Sequence, residues 1–325
     1  MTHEHPDDLL DAYAFGDCPE PWAQIVTAHI AQCVRCAALV QQAKRAAEWF
    51  SVSHAAAPPA GLRDRVLTAA RAVRPPLPAA PAEAAEPYLW QVVEFGALLG
   101  GLSAAHWRAP TPSGRTVQDL VLHLAGNDHN VSADLGDRAG PRPGDAIHVW
   151  REQTDRLLQT IGRADDALLA QPVRLAGKAP LQRPLREALV QRAFETWTHG
   201  DDIRTAINLP TMAPAPEHLA RIVGFGLQLL PAAMDAAGRG HPGAAVRLEL
   251  TGPGGADHLV PLSARRTEAQ GTDPPRVVGA VRMPADRFGR LMAGRVTVTE
   301  AAAVRTGDRA AGLDLLTVAA TLGCE

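Results

Sequence analysis

Two cysteines and a histidine lie within eight residues of this chain, His29-x3-Cys33-x2-Cys36, and no other feature constrains it as tightly. Soft ligands at this spacing point to zinc, which prefers thiolate and imidazole in a tetrahedron. Ile25, Val26, Ile30, Val34, Leu39 and Val40 recur at near-helical spacing around the cluster. The cluster is therefore expected at a helix start or end. On one helix, His29 and Cys33 would lie a turn apart with Cys36 on the next turn, so all three can converge on one ion. A closed structural site takes four protein ligands, so one is missing. His3 and His5 precede a short amphipathic segment, Leu9, Leu10 and Tyr13, that Gly16 can cap, and one of these two histidines is the expected fourth ligand. Cys18 is the other candidate. It is alternatively a redox partner for Cys33 or Cys36, since a thiolate released from zinc can be oxidised or attack.

These residues together, His3/His5, Leu10, Tyr13, Gly16 and H-x3-C-x2-C, resemble the zinc-binding anti-sigma domain of bacterial anti-sigma factors. The segment at 58–67, PPAGLRDRVL, is similar to the helix that follows the zinc core in that family. The resemblance covers about the first quarter of the chain. It implies that this part wraps an ECF (group-IV) sigma factor, with Leu62, Val66 and Val73 on the apolar stripe that meets the partner. The bland alternative is that the helix folds back on its own neighbours.

At 325 residues the chain exceeds a usual single core, and a net charge of −3 gives no basic field for nucleic acid. The acidic start, with Glu4, Asp7, Asp8 and Asp11, also speaks against direct nucleic-acid binding. Four cysteines, three of them in the first 36 residues, do not form a secreted disulfide framework. No signal peptide and no membrane-spanning run is read, because the apolar stretch near 224–237 is short and broken by Pro231. A cytoplasmic protein is expected. Residues 73–87 read VRPPLPAAPAEAAEP, a Pro/Ala tract expected to be an extended tether.

A helical series follows the tract. Segments at 88–107, 116–134, 145–158 and 184–206 carry helical periodicity, the second opening with a capping box, Thr116 and Asp119. Four helices joined by loops predict an antiparallel bundle. Val117, Leu120, Val121 and Leu124 face its core, with His123 at the edge of that stripe. Glu195 and His199, four apart, emerge from one helical face. Asp202, a turn on, is placed to accept from the His199 ring. Two histidines and a carboxylate are the ligand set of a zinc site with a vacant position, although Glu-x3-His alone often merely decorates a surface.

The phrases TVQDLVLHLAG, at 116–126, and ETWTHGDDIR, at 195–204, resemble the mycothiol-dependent maleylpyruvate isomerase family of DinB-like metalloproteins. The resemblance runs from about residue 88 to the end. It implies His123, Glu195 and His199 as ligands of a divalent metal, zinc above others, and mycothiol as the thiol bound there. It also implies a C-terminal α+β domain, where Val246, Leu248 and Leu250 alternate like a strand before a Gly252-Pro-Gly-Gly255 turn. Further elements are a strand at 277–283 and helices at 286–292 and 310–322. His129 and Asn127 share the His123 helix, and Arg204 and Arg221 are candidates to hold an anionic substrate.

The expected architecture is mainly α: a zinc domain (1–74), a linker (75–87), a four-helix metal-binding bundle (88–212) and a C-terminal α+β domain (213–325). The functional expectation is a zinc-containing anti-sigma factor that responds to a thiol, redox or metal signal. The alternative is a mycothiol-dependent isomerase or S-transferase with an accessory zinc domain.

Overall fold

In the computed structural model, which describes residues 5–53, 59, 61–73, 83–137, 139–177, 181–265, 274–301 and 303–323, the chain forms two units, Met1–Pro76 and Leu77–Glu325. His3 and residues 75–82 of the expected linker lie outside the described residues.

The first unit is helical: α1 (Asp7–Phe15), α2 (Glu20–Ile30), α3 (Val34–Ser53) and α4 (Leu62–Val73). Helix α1 stops at Gly16, whose left-handed φ of 80° turns the chain so that the Asp17 N–H reaches back to the Ala12 carbonyl at 2.9 Å. The buried core is small: Leu10, Val26, Cys36 and Val40, with Leu9, Tyr13, Ala14, Ile30 and Cys33 packed against it. Leu62 and Val66 are exposed on α4, and the side chain of Val73 lies outside what is described.

The second unit is a bundle continuous with an α+β layer. The bundle comprises α5 (Glu86–Gly100), α6 (Val117–Asp134), α7 (Ala146–Ile161) and α9 (Leu185–Ala206). A short α8 (Asp166–Ala170) and an antiparallel pair, β1 (Pro172–Arg174) with β2 (Gln182–Pro184), connect α7 to α9. The predicted capping box forms in full: Thr116 accepts from the Asp119 N–H and Asp119 from the Thr116 N–H. Asp145 caps α7 by accepting from the His148 N–H at 3.0 Å.

The bundle is not simply antiparallel. Phe95, Val117, Val121, Trp150 and Ile203 share one apolar cluster, whereas Tyr88, Val131, Leu157 and Leu189 belong to the other. This places the starts of α6 and α7 together with the ends of α5 and α9. Helices α6 and α7 thus run parallel, as do α5 and α9. The physical reason is the connection between α6 and α7. Ten residues, 135–144 in extended chain, reach about 33 Å, enough to run back along an 18-residue helix of roughly 27 Å. The ion pair of Arg156 with Asp137 and the bond from the Arg142 N–H to Glu152 trace this return along α7.

Beyond α9, α10 (Pro216–Ala236) leads into a four-stranded sheet of order β4-β3-β5-β6. Its strands are β3 (Ala244–Thr251), β4 (Asp257–Pro261), β5 (Arg276–Pro284) and β6 (Val304–Gly307). Strands β3 and β5 are parallel and both outer pairs antiparallel. Helices α11 (Ala285–Met292) and α12 (Arg309–Ala319) contribute Phe288, Leu315 and Leu316 to the cluster that also holds Leu189 and Trp197 of α9. Bundle and sheet therefore share a core. Helix α10 carries Pro231 inside it and, at 21 residues with a mean hydropathy of 1.2, is long and apolar enough to span a bilayer. Its Leu219, Ile222, Val223, Leu230 and Met234 are buried in that core.

Candidate metal centres

The first site is assembled across a corner. Helix α2 ends at Ile30 and α3 begins at Val34, so the cluster does lie at a helix end and start, but the three residues are split across the corner rather than carried on one helix. A backbone bond from the Cys33 N–H to the His29 carbonyl, 2.9 Å, holds the corner closed. His5, just ahead of α1, completes the set. Its Nδ1 lies 3.2 Å from Cys36 Sγ, 3.7 Å from Cys33 Sγ and 3.4 Å from His29 Nε2. Zinc–ligand bonds of 2.0–2.3 Å put tetrahedral ligand atoms roughly 3.3–3.8 Å apart, so the donor set fits zinc. A backbone N–H bond from Cys36 holds the Cys33 thiol below its usual pKa, whereas burial raises that of Cys36. Cys18 is a half-buried free thiol outside this group of converging atoms.

The second site is built on α9, whose interior stretch is buried although it carries Arg192, Glu195, His199, Asp201 and Asp202. Buried charges survive only when paired or bound to a metal. Glu195 and His199 share one face of α9, and His123 approaches from α6; their ligand atoms lie within 4.8 Å of one another. His123 Nε2 is 3.7 Å from Glu195 Oε2, and the His123 and His199 rings meet edge to face at 5.3 Å. Asp202 Oδ2 lies 3.1 Å from His199 Nδ1, which leaves Nε2 for an ion. Asn127 belongs here too: its Nδ2 donates to Glu195 Oε2 at 3.0 Å and lies 3.2 Å from His123 Nε2. Three ligands, of which His123 is partly open to solvent, fit a divalent ion with a position to spare.

Two supporting layers carried no signal in the sequence reading. Arg295 grips Asp202 with both arms, its Nε and Nη2 each 2.7 Å from a carboxylate oxygen. Burial would raise the Asp202 pKa, but the bonds from His199 and Arg295 outweigh it and hold the group below the usual carboxylate range. Behind Glu195, Arg192 donates to it at 3.3 Å and to Asp128 at 2.9 Å, and Asp128 also accepts from Tyr88 (2.7 Å) and Thr154 (3.0 Å). Burial and the Asp128 charge push the Tyr88 phenol well above its usual pKa. Burial works against the Arg192 cation, yet Asp128 and Glu195 more than offset it and raise its pKa. The available clue was Arg192 standing three residues before Glu195 on the same face.

Of the remaining candidates, His129 Nδ1 is buried without a partner. Arg221 pairs with Glu83 at 2.7 Å, and Arg204 stands on the opposite face of α9 from the ligands. A small void lined by Glu195, His199, Ala293, Arg295 and Gly323 adjoins the site. Ala293, Arg295 and Gly323 also line a larger cleft of ≈ 800 Å³.

Residues 88–204 match the family model of the mycothiol maleylpyruvate isomerase N-terminal domain. Over this stretch the chain is isomerase-like, and the matched range contains His123, Glu195 and His199. Two crystal structures of the mycothiol-dependent maleylpyruvate isomerase, one of them a histidine-to-alanine mutant, are similar at 15% identity. The mutant covers 67% of this chain and 92% of its own, with a TM-score of 0.44; the other covers 69% and 92%, with a TM-score of 0.45. No curated protein matches.

Proposed function

We propose that residues 77–325 form a thiol-dependent metalloprotein of the maleylpyruvate isomerase type, binding a low-molecular-weight thiol such as mycothiol. The observation that carries this reading is the convergence of His123, Glu195 and His199 within the matched family range. A divalent ion held there, with zinc the best fit, supplies the positive charge that favours the thiolate form of a bound thiol. The chain's own residues fix the geometry. Asp202, held by Arg295, sets the His199 tautomer, and Arg192 with Asn127 orients Glu195. The adjoining cleft of ≈ 800 Å³, with Arg183, Gln191 and Arg295 among apolar walls, suits a small polar thiol and its conjugate. The reaction class is thiol-dependent isomerisation or transfer.

The purified full-length protein is expected to hold two zinc ions per chain, and His199→Ala one. With cobalt in place of zinc, mycothiol is expected to add a thiolate charge-transfer band in the wild type and none in His199→Ala. Equal metal content in the two proteins, or a spectrum indifferent to the thiol, would overturn the reading.

A second reading concerns residues 1–76: a zinc-held docking module for an ECF sigma factor. It is favoured by apolar side chains left facing solvent beside a His2Cys2 centre, among them Trp22 (52% exposed), Val34 (86%) and Val66 (57%). The full chain, purified under reducing conditions, should retain a sigma factor, and Val66→Glu should release it. Failure of the zinc-loaded protein to bind any ECF sigma factor from its own cell sinks this reading and leaves the first intact.

A further inference from the structure

Helix α9 has a second face, and that face lines a different cavity. Trp197, Asp201 and Arg204 lie about half a turn around the helix from Glu195 and His199. With Trp90, Gln91, Glu94 and Phe95 of α5 they border a space of ≈ 270 Å³, roofed by the segment 212–215. The cavity touches none of the three metal-site residues.

Its polar groups are unspent. Gln91 is 6% exposed overall, lines the cavity and joins none of the hydrogen bonds among the described residues. The Gln91 side chain is thus packed away except for an amide left open on the cavity side, free to bond a ligand there. Glu94 and Arg204 are half-buried, opposite in charge and on the same cavity, yet they form no ion pair among the described residues. The other acid, Asp201, is already engaged: it accepts from the Met212 N–H at 2.8 Å and from Arg290 at 2.9 Å. The walls between these groups are aromatic, with Trp90, Phe95 and Trp197. A lone anion would meet Glu94, and a lone cation Arg204.

We propose that this cavity binds a small zwitterionic amphiphile of amino-acid size. Its carboxylate meets Arg204, its ammonium meets Glu94, Gln91 supplies a hydrogen bond, and its apolar body lies against the indoles. Arg204 provides the bidentate recognition that a carboxylate takes up, and the indole faces suit an aromatic side chain. The site goes beyond the thiol-binding reading and does not depend on it.

The test uses the full-length, zinc-loaded protein and three probes: L-phenylalanine, 3-phenylpropionate and phenethylamine, the last two each lacking one charge. Titration calorimetry and tryptophan fluorescence should show saturable binding of phenylalanine, with each analogue weaker by about tenfold or more. Arg204→Gln and Glu94→Gln should each weaken phenylalanine by a similar factor while leaving zinc content unchanged. No saturable binding of phenylalanine up to about 10 mM, beyond the millimolar range of weak sites, overturns the proposal. So does an analogue that binds as tightly as the zwitterion. The analogue series on the unmodified protein decides the matter even if a variant folds poorly.

Discussion

Cys33→Ser should strip the zinc from the first unit and unfold it, while the second unit keeps its structure. Among the described residues of the first unit the buried core is four residues, one of them the candidate ligand Cys36. Domains of this size usually need a metal, a disulfide or a partner to hold together. The cysteines at the site are free thiols, so under the zinc reading the ion would be the staple. Structural zinc in small domains supplies roughly 10–16 kcal/mol of apparent binding energy, far more than such a core can replace. A serine hydroxyl does not ionise near neutral pH and is a poor zinc ligand, so the loss falls on folding itself. The checks are zinc stoichiometry, which should fall by one per chain, and limited proteolysis, which should cut α1–α3 early and spare residues 83–323. A Cys33→Ser protein that keeps full zinc and resists proteolysis in its first unit removes the scaffold role assigned to the cluster.

The sequence showed this site better than it showed the site's geometry. Ligand spacing grouped His29, Cys33 and Cys36, and the requirement for a fourth ligand pointed at the N-terminal histidines; His5, the described one of the two, lies beside them. The spacing did not reveal that the helix breaks between Ile30 and Val34, because a helix and a tight corner bring the same three residues together. In the bundle, local rules served well. The Thr116–Asp119 box, the Asp145 cap and the i, i+4 placement of Glu195 and His199 are short-range features, and each is present. What failed was long-range. The parallel course of α6 and α7 depends on a loop that crosses the bundle, and its length was not weighed. Helix α10 was lost to Pro231, since a proline inside a helix removes a hydrogen bond and reads as a break, although packing against the sheet keeps the helix intact. The Tyr88–Asp128–Arg192 network escaped because charged residues read as solvated until their partners, up to 64 positions away, are known.

That network yields the other large effect. Asp128→Ala should destabilise the second unit by about 3–5 kcal/mol, because it leaves the Arg192 cation buried with its main counter-charge gone. Both side chains are 1% exposed, so water cannot take over. Arg192 Nη2 already lacks a partner, which leaves no spare donor contacts to share the loss. For a unit of this size the melting temperature should drop by roughly 6–20 °C. Tyr88→Phe removes one donor from the same carboxylate but leaves the ion pair, and should cost less, about 1.5–3 kcal/mol. The instructive variant is the double change, Asp128→Ala with Arg192→Met. Removing both charges relieves the buried cation, so much of the lost stability should return. Metal binding should not return with it, because Glu195 has lost the guanidinium that orients it. An affinity roughly 10–100-fold below the wild type is expected from losing such an outer support. Stability and metal affinity would then part company in one protein, and that separation is what a role in orienting Glu195 requires. If the double variant recovers both together, Arg192 merely neutralises Asp128, and the network contributes packing rather than a metal site.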